Sequence, residues 1–184
     1  MDCANPVDNI IDGVRDTLFG KDKIRTMGGI APSIIEWIKE RHGPDEETFV
    51  FRGMRADPDF GPQVGRNKSK LGVTVEGGKP DMHPTSDGLV GPGEGLSTDV
   101  TPWSLPDFRK PPSFGGRDKK LQVYKINVRD LPAGLRMVPD GGGNTHAMIE
   151  PAYEMPLAEY EALLASTRPL WKVVTPGCNQ GFCG

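Results

Sequence analysis

Apolar positions change their spacing several times along the chain, and each change marks an element. Val7, Ile10, Ile11, Val14 and Leu18 recur at helical intervals and meet Gly20, a stop signal. A second helix starts near Pro32-Ser33, carries Ile34, Ile35 and Ile38 inward and ends at Gly43-Pro44. Proline suits that first turn because its missing N–H would have no partner there. Thr48-Phe49-Val50-Phe51 is β-branched and aromatic without a helical period, which predicts a buried strand whose end presents Arg52.

From Arg55 to Glu94 little is periodic, apart from a possible short strand over Leu71–Val75. A loop of that length inside a compact domain is usually functional or mobile. Gly95–Asp99 reads as a short strand, and Thr101 to Gly116 as a second proline-rich loop. Alternation through Leu121, Val123, Tyr124, Ile126 and Val128 predicts another strand, followed by one over Leu135–Val138. Asp140-Gly141-Gly142-Gly143-Asn144 is a turn of high backbone freedom. His146–Glu150 follows as a strand stopped by Pro151. Pro156 opens a helix with Leu157, Tyr160, Leu163 and Leu164 on one face, Trp171–Val174 is a last strand, and 175–184 is a tail. Short strands separated by long loops, without βαβ alternation, make an α+β domain rather than a dinucleotide-binding parallel sheet.

Composition narrows the classes. At 184 residues the chain supports one domain, with N-terminal helices over 1–45, a core over 46–174 and the tail. No apolar run approaches the ~20 residues a spanning helix needs. The N-terminus lacks the basic-then-apolar pattern of a signal peptide, so the expectation is a cytoplasmic product, or one exported without such a signal. Net charge is -3, with Lys and Arg scattered among Asp and Glu. That excludes the broad basic face of a duplex-binding protein but not a local anion pocket. Cys3, Cys178 and Cys183 with the dispersed His42, His83 and His146 do not make a zinc ligand set, so no metal is expected. The 24 glycines and 18 prolines concentrate between Met54 and Gly116, consistent with stiff surface loops on a folded body.

Three predicted strand ends hold polar groups for which a core has no use. Arg52 follows Phe49-Val50-Phe51, Ser97-Thr98 sits inside Gly95–Asp99, and Glu150 closes His146–Glu150. A guanidinium fork binds phosphate through two hydrogen bonds. Hydroxyls orient a ribose or a neighbouring carboxylate. A carboxylate near an anomeric carbon stabilises an oxocarbenium-like transition state, as in glycoside hydrolysis. Taken singly each has a plainer role: an ion-pair arginine, a turn or cap, a solvated strand end. Arg66, Lys68 and Lys70 read as solvated loop charge that could also reach a pyrophosphate.

The order Phe51-Arg52-Gly53, then Gly95-Leu96-Ser97-Thr98, then a late strand glutamate resembles the arginine–serine–glutamate order of ADP-ribosyltransferases. More specifically, the run from Gly88 to Ser97 is similar to the polymorphic-toxin branch of that fold, which includes type VI and Rhs-associated effectors. The same holds for His146-Ala147-Met148-Ile149-Glu150-Pro151, Met155-Pro156 and Glu159-Tyr160. The likeness runs from about Phe49 to Trp171. It implies a fold of short, mostly antiparallel strands in two packed sheets with flanking helices. It also implies NAD as substrate, with Arg52, Ser97 and Glu150 catalytic and Arg52, Gly53, Ser97, Thr98 and His146 holding the dinucleotide. A cognate immunity protein and a macromolecular acceptor in the target cell's cytoplasm are the implied partners. Arginine-modifying transferases carry an acidic residue two positions before the catalytic glutamate, where this chain has Met148. An NAD glycohydrolase and a non-catalytic interaction module therefore stand as alternatives. A nuclease has less support, because only His146 falls in a suitable strand.

Overall fold

Phe49–Arg55 is fully extended in the structure, so Arg52 stands in the middle of the first strand, β1, and not at its end. The computed structural model describes residues 48–139 and 145–177. The two expected N-terminal helices, the glycine turn at 140–144, and Cys178 and Cys183 lie outside the described residues. Along the chain follow β2 (Leu89–Val90), β3 (Leu96–Asp99), β4 (Leu121–Asn127), β5 (Leu135–Pro139), β6 (His146–Pro151), β7 (Met155–Pro156), helix α1 (Leu157–Ser166) and β8 (Lys172–Val173). Six strands form one antiparallel sheet in the order β5-β6-β3-β1-β4-β8, and β2 pairs with β7 in a second. The architecture is α+β with the two antiparallel sheets expected of an ADP-ribosyltransferase-like domain. β2 and β7 are two residues each, too short to leave a period in the sequence.

Alternation along each strand divides the large sheet into two faces. One carries Val50 and Met54 of β1, Leu96 of β3, Tyr124 and Ile126 of β4, Met137 of β5, and Ala147 and Ile149 of β6, all in the main core. Helix α1 covers this face with Tyr160 and Leu164, each burial worth roughly 2 kcal/mol. The Tyr160 hydroxyl donates to Ile149 O at 2.6 Å and accepts from Leu96 N–H at 3.1 Å, tying the helix to the β3–β6 pair. Pro169 then interrupts the helical ladder, and a 3₁₀ turn over Arg168–Leu170 leads into β8.

The long segment between β1 and β2 is packed rather than free. Leu71, Val73 and Met82 join the main core. Leu71–Val75 is not a strand; its backbone groups are satisfied within the loop instead. Leu71 N–H donates to Gln63 O, Thr74 N–H to the Asp81 carboxylate, and Thr74 O accepts from Asp81 and Met82. Gly72 approaches Gly65 so closely that a Cβ there would stand 2.5 Å from Gly65 O. Arg66 grips Glu161 of α1, and Arg168 grips Asp57 and Asp59, so both ends of the first half of the loop are fastened to the helical layer.

Candidate functional site

On the opposite face of the sheet the second proline-rich loop forms a roof. Leu105 and Phe114 of that loop pack with Val123 of β4, and Phe51 of β1 closes this smaller cluster. Lys110 anchors the loop by donating to Trp103 O at 2.7 Å. The turn Asp107–Arg109 rests directly on Gly53: a Cβ at that position would lie 1.7 Å from Arg109 O. Glycine is required at Gly53 by this close approach of two backbones.

Between roof and sheet opens a cleft of about 110 Å³ lined by Arg52, Gly53, Ser97, Asp99, Leu105, Pro106, Phe108, Arg109 and His146. This is below the usual 300–1,000 Å³ of a whole small-molecule site. It has room for a ring-sized group, with the remainder of a larger ligand lying along its open side. The cleft forms where β1 and β3 part, because the two strands pair only at Phe51 opposite Asp99. Past that point a side chain replaces backbone pairing. Arg52 Nη1 donates to Ser97 O at 2.5 Å, and Nη2 donates to Lys68 O at 2.9 Å.

Arg52 is 2% exposed, yet its hydrogen-bond partners among the described residues are neutral carbonyls, and its Nε has none. Burial, and then the positive charge of Arg109, lower its pKa to about 10, so it remains a cation at neutral pH. Asp99 and His146 face each other in register across β3 and β6. Burial pushes the Asp99 carboxyl up to about 6 against the pull of His146 and of hydroxyls from Ser104 and Thr145. Ser97 shares this face with Asp99, two residues along the strand.

Four of the residues singled out from the sequence, Arg52, Gly53, Ser97 and His146, are therefore brought together. Two are not. Thr98 points to the core face, where its hydroxyl donates to Ala147 O at 3.0 Å. Glu150 shares a face with His146 but stands four residues, about 13 Å, further along β6. It does not line the cleft. It is 2% exposed rather than a solvated strand end, and its carboxylate accepts from Arg136 Nε at 2.7 Å and from Gly93 N–H at 2.7 Å, with Arg136 Nη2 ion-paired 2.7 Å away. Among the loop cations, Arg66 is held by Glu161, while Lys68 and Lys70 offer their backbone carbonyls to Arg52. Sequence reasoning missed Asp99, Phe108 and Arg109. Asp99 was legible as the third polar residue after Leu96. Phe108-Arg109 sits in an aperiodic loop whose docking depends on Gly53.

A buried arginine, a serine and a histidine line a cleft in a split antiparallel sheet on an ADP-ribosyltransferase-like fold. Residues 53–171 match the family model of the Tse2 ADP-ribosyltransferase toxin, and the chain belongs to that family. It is a toxin domain with ADP-ribosyltransferase activity, and membership implies a transferase acting on NAD. No curated protein matches the chain. The matched segment holds the cleft from Gly53 through His146, with Arg52 immediately before it.

Proposed function

We propose that the domain binds NAD with the nicotinamide ribose in the cleft, cleaves the bond between them and transfers ADP-ribose to a macromolecule of the cell into which it is delivered. The observation that carries this reading is the convergence of Arg52, Ser97 and His146 on one cleft, with Ser97 and His146 inside the family match and Arg52 at its edge. Leu105, Pro106 and Phe108 offer apolar contact for a flat ring, while Arg52 supplies positive charge beside it. When the C1′–N bond breaks, its electron pair goes to the nicotinamide ring, which leaves neutral, and positive charge develops on the ribose. A carboxylate beside the ribose stabilises that charge, the acceptor attacks C1′, and its proton passes to a base.

Two carboxylates compete for the first task. Asp99 lines the cleft, next to His146, and His146 is the base within reach of an acceptor. Glu150, which the family order favours, reaches a ligand only after letting go of Arg136 and Gly93. The geometry supports Asp99. Asp99→Asn should lower nicotinamide release about 100-fold with a melting temperature at neutral pH no lower than that of the wild type. Glu150→Gln should lower the melting temperature first, and full loss of turnover in a Glu150→Gln protein that melts like the wild type would return the role to Glu150.

The primary test incubates the purified domain with NAD labelled in its adenylate half and a cell lysate. Nicotinamide release with label on a macromolecule is the expected result. Release without label would make the protein an NAD glycohydrolase. Neither, together with tight protein binding, would make it an interaction module. Delivery by a secretion system that needs no signal peptide, and neutralisation by a cognate immunity protein seated over the cleft, belong to the same proposal. Co-expression with such an immunity protein should then restore growth to cells that make the domain.

A further inference from the structure

Arg109 has no part in the expected site, yet it stands beside Arg52 under an unusual electrostatic burden. Both guanidinium groups donate to the same acceptor, the carbonyl oxygen of Lys68. Neither has a carboxylate among its hydrogen-bond partners within the described residues. The anion that acts on both is Asp81, whose carboxylate is already taken by the N–H and hydroxyl of Thr74. Two cations side by side, one buried and one half-buried, are costly without an anion. Arg52 Nε is buried and has no acceptor among the described residues. Arg109 otherwise touches the ring of Phe108, 5.8 Å from its centroid, which leaves most of its donors uncommitted among the described residues.

We infer that Arg109, backed by the buried charge of Arg52, forms a diphosphate-binding subsite, occupied by the pyrophosphate of the dinucleotide, and that Gly53 is what brings Arg109 to it. The inference rests on the proposed NAD reading for its physiological ligand, but its physical claim concerns the two guanidinium groups alone. A pyrophosphate presents the spread negative charge and multiple acceptors that the planar fork of Arg109 matches, with the Arg52 charge behind it. The carbonyl of Lys68 sets the spacing of the forks. Burial and neighbouring charge lower the pKa of Arg52 and burial lowers that of Arg109, as expected of cations waiting for a counter-ion.

The test measures binding of inorganic pyrophosphate, ADP-ribose and nicotinamide by calorimetry to the wild type, Arg109→Gln and Arg109→Lys, with the melting temperature of each ligand-free protein. Arg109→Gln should weaken pyrophosphate and ADP-ribose about 10- to 100-fold and leave nicotinamide unchanged, with Arg109→Lys in between. Because the substitution removes a like charge beside Arg52, the ligand-free melting temperature should hold or rise. Pyrophosphate affinity that is the same in all three proteins would overturn the inference even if NAD is turned over normally. A fall in melting temperature without a fall in affinity would overturn it as well, and would make Arg109 a strut of the roof. Weakened pyrophosphate binding in a protein that does not bind NAD would uphold the subsite and overturn the NAD reading instead.

Discussion

The two faces of the six-stranded sheet are built from the same strands and do opposite things. On the core face most positions are apolar and buried under α1 and the packed loop, and the Tyr160 hydroxyl there is satisfied by strand backbone. On the cleft face, Gly53, Ser97, Asp99 and His146 occupy the central strands, and a loop instead of a helix provides the cover. A helix would fill the space with interdigitating side chains. The loop leaves a cleft and carries Phe108 and Arg109 to it. Arg52 crosses this division: it starts on the core face and reaches the gap between β1 and β3. The face that stabilises and the face that does chemistry are thus one residue out of phase along each strand.

That contrast can be broken in descending order of effect. Arg136→Ala, at the cleft-face margin, leaves the buried Glu150 carboxylate without its cation and should cost about 3 kcal/mol in urea unfolding. Glu150→Gln should cost less, because it leaves the half-exposed Arg136 in water. If Arg136→Ala proved neutral, the clasp would be a surface ion pair and not a support. Gly53→Ala should push Arg109 off the strand and lower nicotinamide release about 100-fold, since a shift of an ångström at a site is worth that much. Tyr160→Phe belongs to the core face. It leaves Leu96 N–H and Ile149 O without their shared partner and should cost about 2 kcal/mol while cleft ligands bind the folded protein as before.

The smallest effect is a pH slope. Burial raises Asp99 from 3.8 to about 6, so between those values the folded chain holds a proton that the unfolded chain has released. Its contribution to stability is full below the lower value and is lost as pH rises toward 6. His146 and Lys110 pull the other way, as do hydroxyls from Ser104 and Thr145, without cancelling the burial. Asp99→Asn removes the slope, so denaturation curves should show the variant gaining on the wild type from about pH 4 to 6 and holding its advantage above. Parallel curves across that range would place the Asp99 carboxyl in ordinary solvent.

Much of the fold follows from local spacing. The alternation over Leu121–Val128 became β4, the stretch after Gly95 became β3, and Pro156 stands at the cap of α1, where Tyr160 and Leu164 face the core. Leu71–Val75 did not become a strand because Gly72 and Asp81 direct its backbone groups into turns, a choice made by partners outside the window. For the site, the residues Arg52, Ser97 and His146 were identifiable because they are polar groups inside apolar strands. Thr98 and Glu150 carried the same signal, since polarity in a strand marks an unusual position without saying what it meets.

By itself the sequence determined the period of each strand and helix, and hence which side chains share a face, because that depends only on backbone geometry and side-chain type. It also held the order of motifs that places the chain among ADP-ribosyltransferase toxins. Only the tertiary structure decided that Glu150 is clasped by Arg136, that Asp99 stands opposite His146, and that Arg109 arrives beside Arg52. Each of these depends on strand order and on how a loop docks. Such contacts join residues distant in the chain, and their energies exist only once the sheet has assembled.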